Sequence, residues 1–462
     1  MLDQWPAREA GLVQKLNSSL NQRLKIAVVG TGIAGMSAAW LLNQRHEITV
    51  YEKCTRIGGH SNTVDVPTKR GTTPVDTGFI VYNERNYPNL TALFEYLGVP
   101  TKESDMSFAA SLDGGKFEYS GSNLNGLFGQ RVNIIRPHFW RMVVDLMRFY
   151  REAPAFLDEI EASDISLGDF LRSRNYSESL INDHLLPMGA AIWSTTAPEM
   201  KAYPAASFIR FLKSHGLLTL SDRPQWRTVH GGSRAYVERL TQSYQNRIRF
   251  DGVRSIRRAP NQVIVEDHQG GEEFFDHVVI ASHADEAFSM LSDPDTQEKI
   301  ILGNWRYTKN RAVLHRDPSL MPKLRRVWSS WNFIDSGQDD EQRQLCVTYW
   351  MNQLQGIDHC DPLFVTLNPV REPAPATVLR EFEYTHPFFD RTALISQRRL
   401  WKLQGARRTW FCGSYFGHGF HEDALQAGLA VAEQLGGVKR PWNVEGESDR
   451  LYLIPNPHAV AA

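Results

Sequence analysis

The sequence predicts an α/β protein in which one sheet-and-helix domain is assembled from three separated stretches and two insertions build a second, α+β domain. Three observations carry this. A strand, a glycine turn, a helix and a second strand follow one another from Ile26 to Glu52; β-rich runs return at Ile248–Ser282 after a mostly helical stretch; and a final strand, loop and helix span Thr409–Gly437.

The first unit is the most specific. Ile26 to Val29 is an apolar run of strand length, Gly30, Gly32 and Gly35 form G-x-G-x-x-G, and Met36 to Leu42 continues as a helix. Gly30 serves a tight turn, Gly32 leaves room for a pyrophosphate, and Gly35 lets the helix approach the strand. The helix N-terminus offers unpaired N–H groups to phosphates. Glu52 ends the next strand, Glu47 to Tyr51, about twenty residues beyond the glycines, where a carboxylate can accept hydrogen bonds from adenosine ribose hydroxyls. This predicts a Rossmann-like dinucleotide site and leaves NAD and FAD both open.

Directly after it, Glu52, Arg56, Gly58 and Gly59 form E-x-x-x-R-x-G-G. The glycine pair can bring backbone N–H groups to a diphosphate or ribityl chain, and Arg56 can add compensating charge, a contact that nicotinamide enzymes do not need. A solvent-exposed turn is the plain alternative.

Residues from about 81 to 227 read mostly helical, including Tyr87–Leu97, His138–Ala153, Ser166–Leu171 and Ala206–Lys213. Ile248–Ser282 reads as a small antiparallel meander ending in the apolar strand Val278–Ala281, and further strand-like runs lie between Asn310 and Asn368. In "FCGSYFGHGFHEDALQAG" a strand ends at Gly413 and a helix begins near Asp423, so its amides can face the electron-rich edge of a reduced flavin. Gly417 and Gly419 keep that approach open, and Glu422 or Asp423 reads as a helix cap. The expected cofactor domain is 24–80, 228–305 and 405–437, the substrate domain 81–227 and 306–404, with extensions 1–23 and 438–462.

Composition sets outer limits. The 462 residues provide about three domains' worth of chain, or two with one assembled from separated parts. Lys plus Arg number 51 against 52 Asp plus Glu, so no net field attracts nucleic acid. Cys54, Cys346, Cys360 and Cys412 show no C-x-x-C spacing, which predicts no metal site, no disulfide framework and a reducing compartment. Residues 1–23 do not read as a signal peptide, and no run approaches the ~20 apolar residues of a spanning helix.

At these motifs the chain resembles the flavin-containing amine oxidase and phytoene desaturase superfamily, with its FAD-binding domain of the glutathione-reductase type. The resemblance rests on the N-terminal glycine motifs, "VDTGF" at Val75–Phe79, "VHGGSRAYVERL" at Val229–Leu240, "FDHVVIAS" at Phe275–Ser282, and Gly413–Gly428. It implies non-covalently bound FAD: Glu52 on the ribose, Arg56, Gly58 and Gly59 near the phosphates, Val253 on the adenine side, and the backbone around Phe420 and His421 beside the isoalloxazine. Ile33, Ala34, Lys53, His60, Gly78, Phe79, Ala281, Gly413, Ser414 and Leu425 complete the implied cofactor set. Two positions depart from the amine oxidases: Ser414 replaces a glutamate, and His60 stands where arginine is common.

Phrases such as "NRAVLHRDPSLMP", "VTYWMNQLQ" and "GFHEDALQAGLAVAE" further resemble bacterial NAD/FAD-binding proteins that accompany fatty-acid methyltransferases, a group that includes flavin-dependent desaturases of furan fatty acid synthesis. This implies oxidation of a phospholipid acyl chain or other apolar substrate, with dioxygen as reoxidant, a fatty-acid methyltransferase as partner and a homodimer as assembly. It also implies a cytoplasmic chain, peripheral on the cytoplasmic face of the inner membrane. His418, His421, Tyr349 and Asn352 are the candidate catalytic side chains, with Tyr384 and His386 in segments expected to line the second domain. The helix around Arg136–Leu157 is the candidate membrane element, with Phe139, Trp140, Val143, Leu146, Met147 and Tyr150 expected on its apolar face and Arg141, Asp145, Arg148 and Glu152 opposite. A helix packed within the substrate domain is the alternative. Oxidation of small amines, or a non-catalytic flavin-binding partner of a lipid-modifying enzyme, are the rival readings.

Overall fold

The computed structural model describes residues 23–157, 159, 165–219, 221–337 and 346–455; apart from Arg23, the expected N-terminal extension lies outside them. Two compact units divide the chain. The first holds the described residues up to Gly59, Val237–Asn304 and the residues from Ile395; the second holds His60–Tyr236 and Trp305–Leu394. Residues 60–80 and 228–236, grouped with the cofactor segments from sequence, pack in the second unit, and 395–404 in the first. Strand pairing accounts for the former. Thr63–Thr68 and Gly71–Asp76 form a hairpin, and Asp76 exchanges two 2.9 Å hydrogen bonds with the Gln355 side chain. Trp226–Val229 joins Tyr82–Asn83 and Thr101–Ser104 in a small antiparallel sheet.

In the first unit the chain runs β1 (Lys25–Val29), α1 (Ile33–Leu42), β2 (Glu47–Tyr51), β3 (Ile248–Arg249), β4 (His277–Ile280), β5 (Thr409–Phe411) and α2 (His421–Gly436). The strands form one parallel sheet in the order β3-β2-β1-β4-β5. Ile26, Ala27, Val28 and Val278 to Ile280 are fully buried, the pattern of parallel strands covered on both faces. Helix α1 is apolar except for Ser37, whose hydroxyl bonds back to Ala34 O, and is buried along its whole length, as befits an interior helix. Helix α2 packs along it at Gly428, where a Cβ would stand 2.2 Å from the Ala34 carbonyl oxygen. The expected meander is present as Val253–Arg258, Val263–Asp267 and Glu272–Phe275.

The second unit is built on a seven-stranded sheet ordered Val378–Phe388, Arg306–His315, Phe364–Leu367, Val347–Trp350, Trp331–Ile334, Phe108–Leu112 and Phe117–Ser120. Val66, Leu314, Val347 and Val365 belong to its core. Residues 81–227 are less helical than the sequence predicts. Helices stand at Pro88–Tyr96, Pro137–Glu152, Leu167–Ser173 and Ala205–Ser214, but Phe108–Leu112 and Phe117–Ser120 form a hairpin. The first of these strands pairs in parallel with Trp331–Ile334, more than two hundred residues away, a partner that no local pattern reveals. The Asp113-Gly114-Gly115 turn is a local signal for the hairpin alone.

Helix Pro137–Glu152 also differs from expectation. Phe139, Met142 and Phe149 are buried, and so is Asp145, whose carboxylate accepts a 2.8 Å bond from the Ser177 N–H. Trp140, Val144 and Met147 form a separate, exposed stripe. The helix thus carries two apolar faces, because Asp145 is drawn inward by a main-chain donor.

Candidate functional site

The glycine turn lies between the parallel neighbours β1 and β4, whose following connections lead to opposite edges of the sheet, the topological switch point at which α/β folds bind ligands. Gly30 has φ +101°, donates to Tyr51 O at 2.8 Å, and approaches Ala281 so closely that a Cβ would meet its carbonyl oxygen at 2.8 Å. Ile33 and Ala34 form the buried first turn of α1. A Cβ on Gly35 would stand 2.0 Å from Gly30 O, whereas one on Gly32 would meet nothing within 4 Å. Open space is therefore reserved at Gly32, at the helix N-terminus.

Glu52 is buried at the end of β2. Its Oε2 accepts from the Thr31 N–H at 3.0 Å and from the Thr31 hydroxyl, and its Oε1 accepts from Cys54 N–H at 2.8 Å. A carboxylate has about four acceptor positions, so one remains for a ribose hydroxyl. Thr31 was not among the expected site residues, yet its carbonyl also accepts from Gly58 N–H at 3.1 Å, joining the two glycine motifs. A hydroxyl residue between the first two glycines is the signal that could have found it. Gly58 and Gly59 are both left-handed, at φ +105° and +57°, and a Cβ on Gly59 would lie 3.0 Å from Gly32 Cα. Arg56 donates to Gly59 O at 2.8 Å, so it braces the glycine pair from within the loop. Gly252 N–H donates to Glu52 O at 3.1 Å, which brings buried Val253 up beside Lys53, itself paired with Glu286.

The C-terminal segment is organised by Asp423. Its Oδ2 accepts from Phe420 N–H at 2.7 Å, capping α2, and its Oδ1 takes Arg450 Nη1 at 3.0 Å. Burial works to raise its pKa, but Arg450, His418 and the main-chain donors outweigh it and hold the carboxyl below its usual range. Ser414 O accepts from both Gly417 and Gly419 N–H at 3.1 Å. Gln397, also unforeseen, donates to Tyr415 O at 2.9 Å and Gly417 O at 2.6 Å. The loop from Gly413 to Phe420 is thus fixed before α2 begins, with His418 and Phe420 partly exposed. His421 keeps a solvent-open edge, yet the packing around its ring lowers its pKa to about 3, so the imidazole is neutral. Leu425 is buried in α2, and Cys412 is fully buried with its thiol pushed well up by desolvation.

In the second unit, Gly78 lies against His60, where a Cβ would meet His60 O at 2.2 Å; Phe79 N–H donates to the same carbonyl at 2.8 Å, and its ring meets Tyr236 edge-on. The His60 ring stacks on Tyr384 at 5.2 Å and lies 5.3 Å from His386. Phe382 stacks on Tyr384 at 6.1 Å, and Asn62 and Thr77 hold the Tyr384 hydroxyl at 2.9 and 2.7 Å. Asp76, wholly buried, has its pKa raised to about 6 by desolvation against donors from Thr63 and Ser233. Two catalytic candidates are engaged within the second unit. Asn352 donates to Asp358 O and Asp361 O at 2.7 and 2.8 Å and accepts from Leu363 N–H at 2.7 Å, which commits its amide to shaping that loop. Tyr349 is buried edge-on against Trp331 at 5.0 Å, its phenol pushed up by desolvation.

A parallel sheet with this turn, a buried acid after β2 and a second glycine pair beside the turn define a class, the dinucleotide-binding oxidoreductases, and the residues present fit an FAD. The profile of the flavin containing amine oxidoreductases matches residues 33–309, more than half of the sequence, and the chain belongs to that family. It is an FAD-dependent oxidoreductase. Among solved structures it is similar to cyclohexylamine oxidase from Brevibacterium oxydans IH-35A, with 16% identity over 89% of this chain and 99% of that one and a TM-score of 0.61. Putrescine oxidase bound to putrescine gives 15% identity, 89% and 98% coverage and a TM-score of 0.62. A CLA-producing fatty acid isomerase from P. acnes gives 14% identity, 88% and 97% coverage and a TM-score of 0.59. No curated protein matches the sequence.

Proposed function

We propose that this oxidoreductase desaturates the acyl chain of a membrane phospholipid, removing two hydrogens from adjacent carbons. The observation that carries the reading is the face of strand Val378–Phe388 bearing Phe382, Tyr384 and His386. Strand alternation puts Glu381 and Glu383 on the opposite face, where they pair with Arg311 and Lys309. Tyr384, 6% exposed, has its hydroxyl occupied by Asn62 and Thr77, so the part-exposed face it shares with His60 and Phe382 carries rings and no carboxylate. Such a surface suits an uncharged chain and gives an ammonium no counter-ion. The fatty acid isomerase among the similar folds supports the same substrate class.

When bound, FAD supplies a two-electron acceptor that takes hydride at N5, with dioxygen as the proposed terminal acceptor. This chain's residues orient the substrate and exclude water. An allylic carbon is the favoured site of hydride loss, because the developing charge is delocalised; the adjacent C–H, made acidic by that charge, then gives its proton to solvent without a strong base. His421, with a pKa near 3, is neutral and fits a hydrogen-bonding role better than that of a charged acid. The reading also places the chain on the cytoplasmic face of the inner membrane, beside a fatty-acid methyltransferase.

Oxidation of small amines is the second reading, favoured by the two amine oxidases among the similar folds. Anaerobic mixing separates the two. Bleaching of the flavin band by unsaturated or methylated phospholipid, with an acyl product lighter by two hydrogens, supports desaturation; bleaching by amines alone overturns it.

A further inference from the structure

We infer that residues Leu124–Arg151 form a docking surface for an anionic lipid bilayer. The inference deepens the proposed reaction by naming the surface on which it runs, and it rests on that reading only for the identity of the substrate. The surface itself stands on three observations.

The first is exposure. Leu124 is 73% exposed, Ile135 79% and Val144 63%, with Ile134, Trp140 and Met147 each more than two-fifths exposed. Trp140, Val144 and Met147 stand at i, i+4 and i+7 of one helix, a single stripe separate from the buried Phe139–Met142–Phe149 face. The second is that the patch is built. The Trp140 indole donates to Ile134 O at 2.8 Å, which fixes the Ile134–Ile135 turn beside the helix stripe. The third is charge. Leu124 to Glu152 carries five arginines against two acids, Asp145 and Glu152, in a chain of formal charge −1; Arg148 and Arg151 pair with those acids, which leaves Arg131, Arg136 and Arg141. Arg131 bonds Phe128 O and Asn125, Arg136 bonds Lys116 O, Gln130 and Asn133, and these acceptors are all neutral. Among the described residues neither these two nor Arg141 pairs with a carboxylate, so their charge faces outward uncompensated.

Apolar side chains with a tryptophan, ringed by arginines, are what the headgroup boundary of an anionic bilayer accepts. A second copy of the chain fits less well. A two-fold contact sets a patch against itself, and here that would oppose arginines to arginines. Among the described residues no helix is long and apolar enough to cross a membrane, so the contact is one of lying on the surface.

Vesicle co-flotation of the full, FAD-loaded chain tests this. Binding is expected to vesicles of phosphatidylcholine with phosphatidylglycerol and not to phosphatidylcholine alone, with release by about 0.5 M salt. Val144→Glu and Ile135→Glu, each at a solvent-facing position, should weaken binding about tenfold or more. Arg141→Gln should weaken it about fivefold. Flavin content and circular dichroism equal to the parent chain show that each variant is folded. Failure to float with the anionic vesicles, flotation indifferent to both glutamates, or a dimer that Val144→Glu dissolves in place of vesicle binding would each overturn the inference. Turnover is read separately on detergent-dispersed phospholipid: flotation without flavin bleaching rejects the proposed reaction alone, and bleaching without flotation rejects the docking surface alone.

Discussion

At Gly32 a methyl group would enter open space, whereas at Gly35 it would stand 2.0 Å from a carbonyl oxygen of the same turn. Gly32 has φ −65° and ψ 170°, a conformation alanine adopts freely. Gly32→Ala should therefore leave the apoprotein's stability within about 0.5 kcal/mol of the parent and still lose its flavin, because the methyl takes the space kept for the pyrophosphate. Gly35→Ala should cost about 1–3 kcal/mol through overpacking and lose flavin as a consequence. Flavin-to-protein ratio together with the melting temperature of the apoprotein distinguishes them; a Gly32→Ala variant that purifies fully yellow refutes the assigned role. Glu52→Gln tests the ribose contact. It keeps the side chain's shape but weakens a charge-assisted bond worth about 1.5–3 kcal/mol, so FAD titrated into the apoprotein should bind roughly ten- to a hundredfold more weakly.

Helices α1 and α2 come from opposite ends of the sequence and touch at Gly428, which has no room for a side chain against Ala34. Gly428→Ala should part them and lower stability by about 2 kcal/mol or more, seen as a fall in the urea midpoint at unchanged slope. Asp423→Asn should cost about 1–2 kcal/mol by weakening the cap and leaving Arg450 without its carboxylate. Elements such as β1, α1, β2 and α2 were legible in the sequence because a glycine turn, a run of buried aliphatics and a capping acid are local signals. The second unit was less legible. Its strand Phe108–Leu112 is specified by a partner at Trp331–Ile334, and the two faces of helix Pro137–Glu152 depend on where Asp145 finds a donor, namely Ser177. Asn352 illustrates the same limit at a single position: a polar side chain in a promising segment can be wholly committed to neighbouring main chain.

Across the whole molecule, buried histidines make stability depend on pH in a definite direction. His184 and His315 are buried in the second unit, and desolvation lowers each pKa to about 4. Their hydrogen bonds fix the neutral forms. Tyr119 donates to Asp183 O, so its oxygen accepts from His184 Nδ1 at 2.8 Å, and His184 Nε2 is buried without a partner among the described residues. His315 Nδ1 accepts from Asp317 N–H at 3.1 Å while Nε2 donates to Thr366 at 2.7 Å. A second proton would meet no acceptor at His184 and a donor at His315. Below the ordinary histidine pKa near 6.5 the unfolded chain therefore binds protons that the folded chain refuses, and stability falls as pH drops from about 6.5 towards 4. The loss by pH 5 is about 2 kcal/mol for each histidine, a large share of a typical folding free energy. Asp76, raised to about 6, takes up a proton on folding and offsets about 1 kcal/mol of this loss at pH 5, so urea unfolding at saturating FAD should show a lower free energy at pH 5 than at pH 8. His315→Gln keeps a donor towards Thr366 and does not titrate, so it should shrink that difference by about 2 kcal/mol even if it lowers stability at pH 8. An undiminished difference in this variant would mean that His315 accepts its proton in the folded chain, and with it that the Asp317 N–H bond to Nδ1 is not the arrangement in solution.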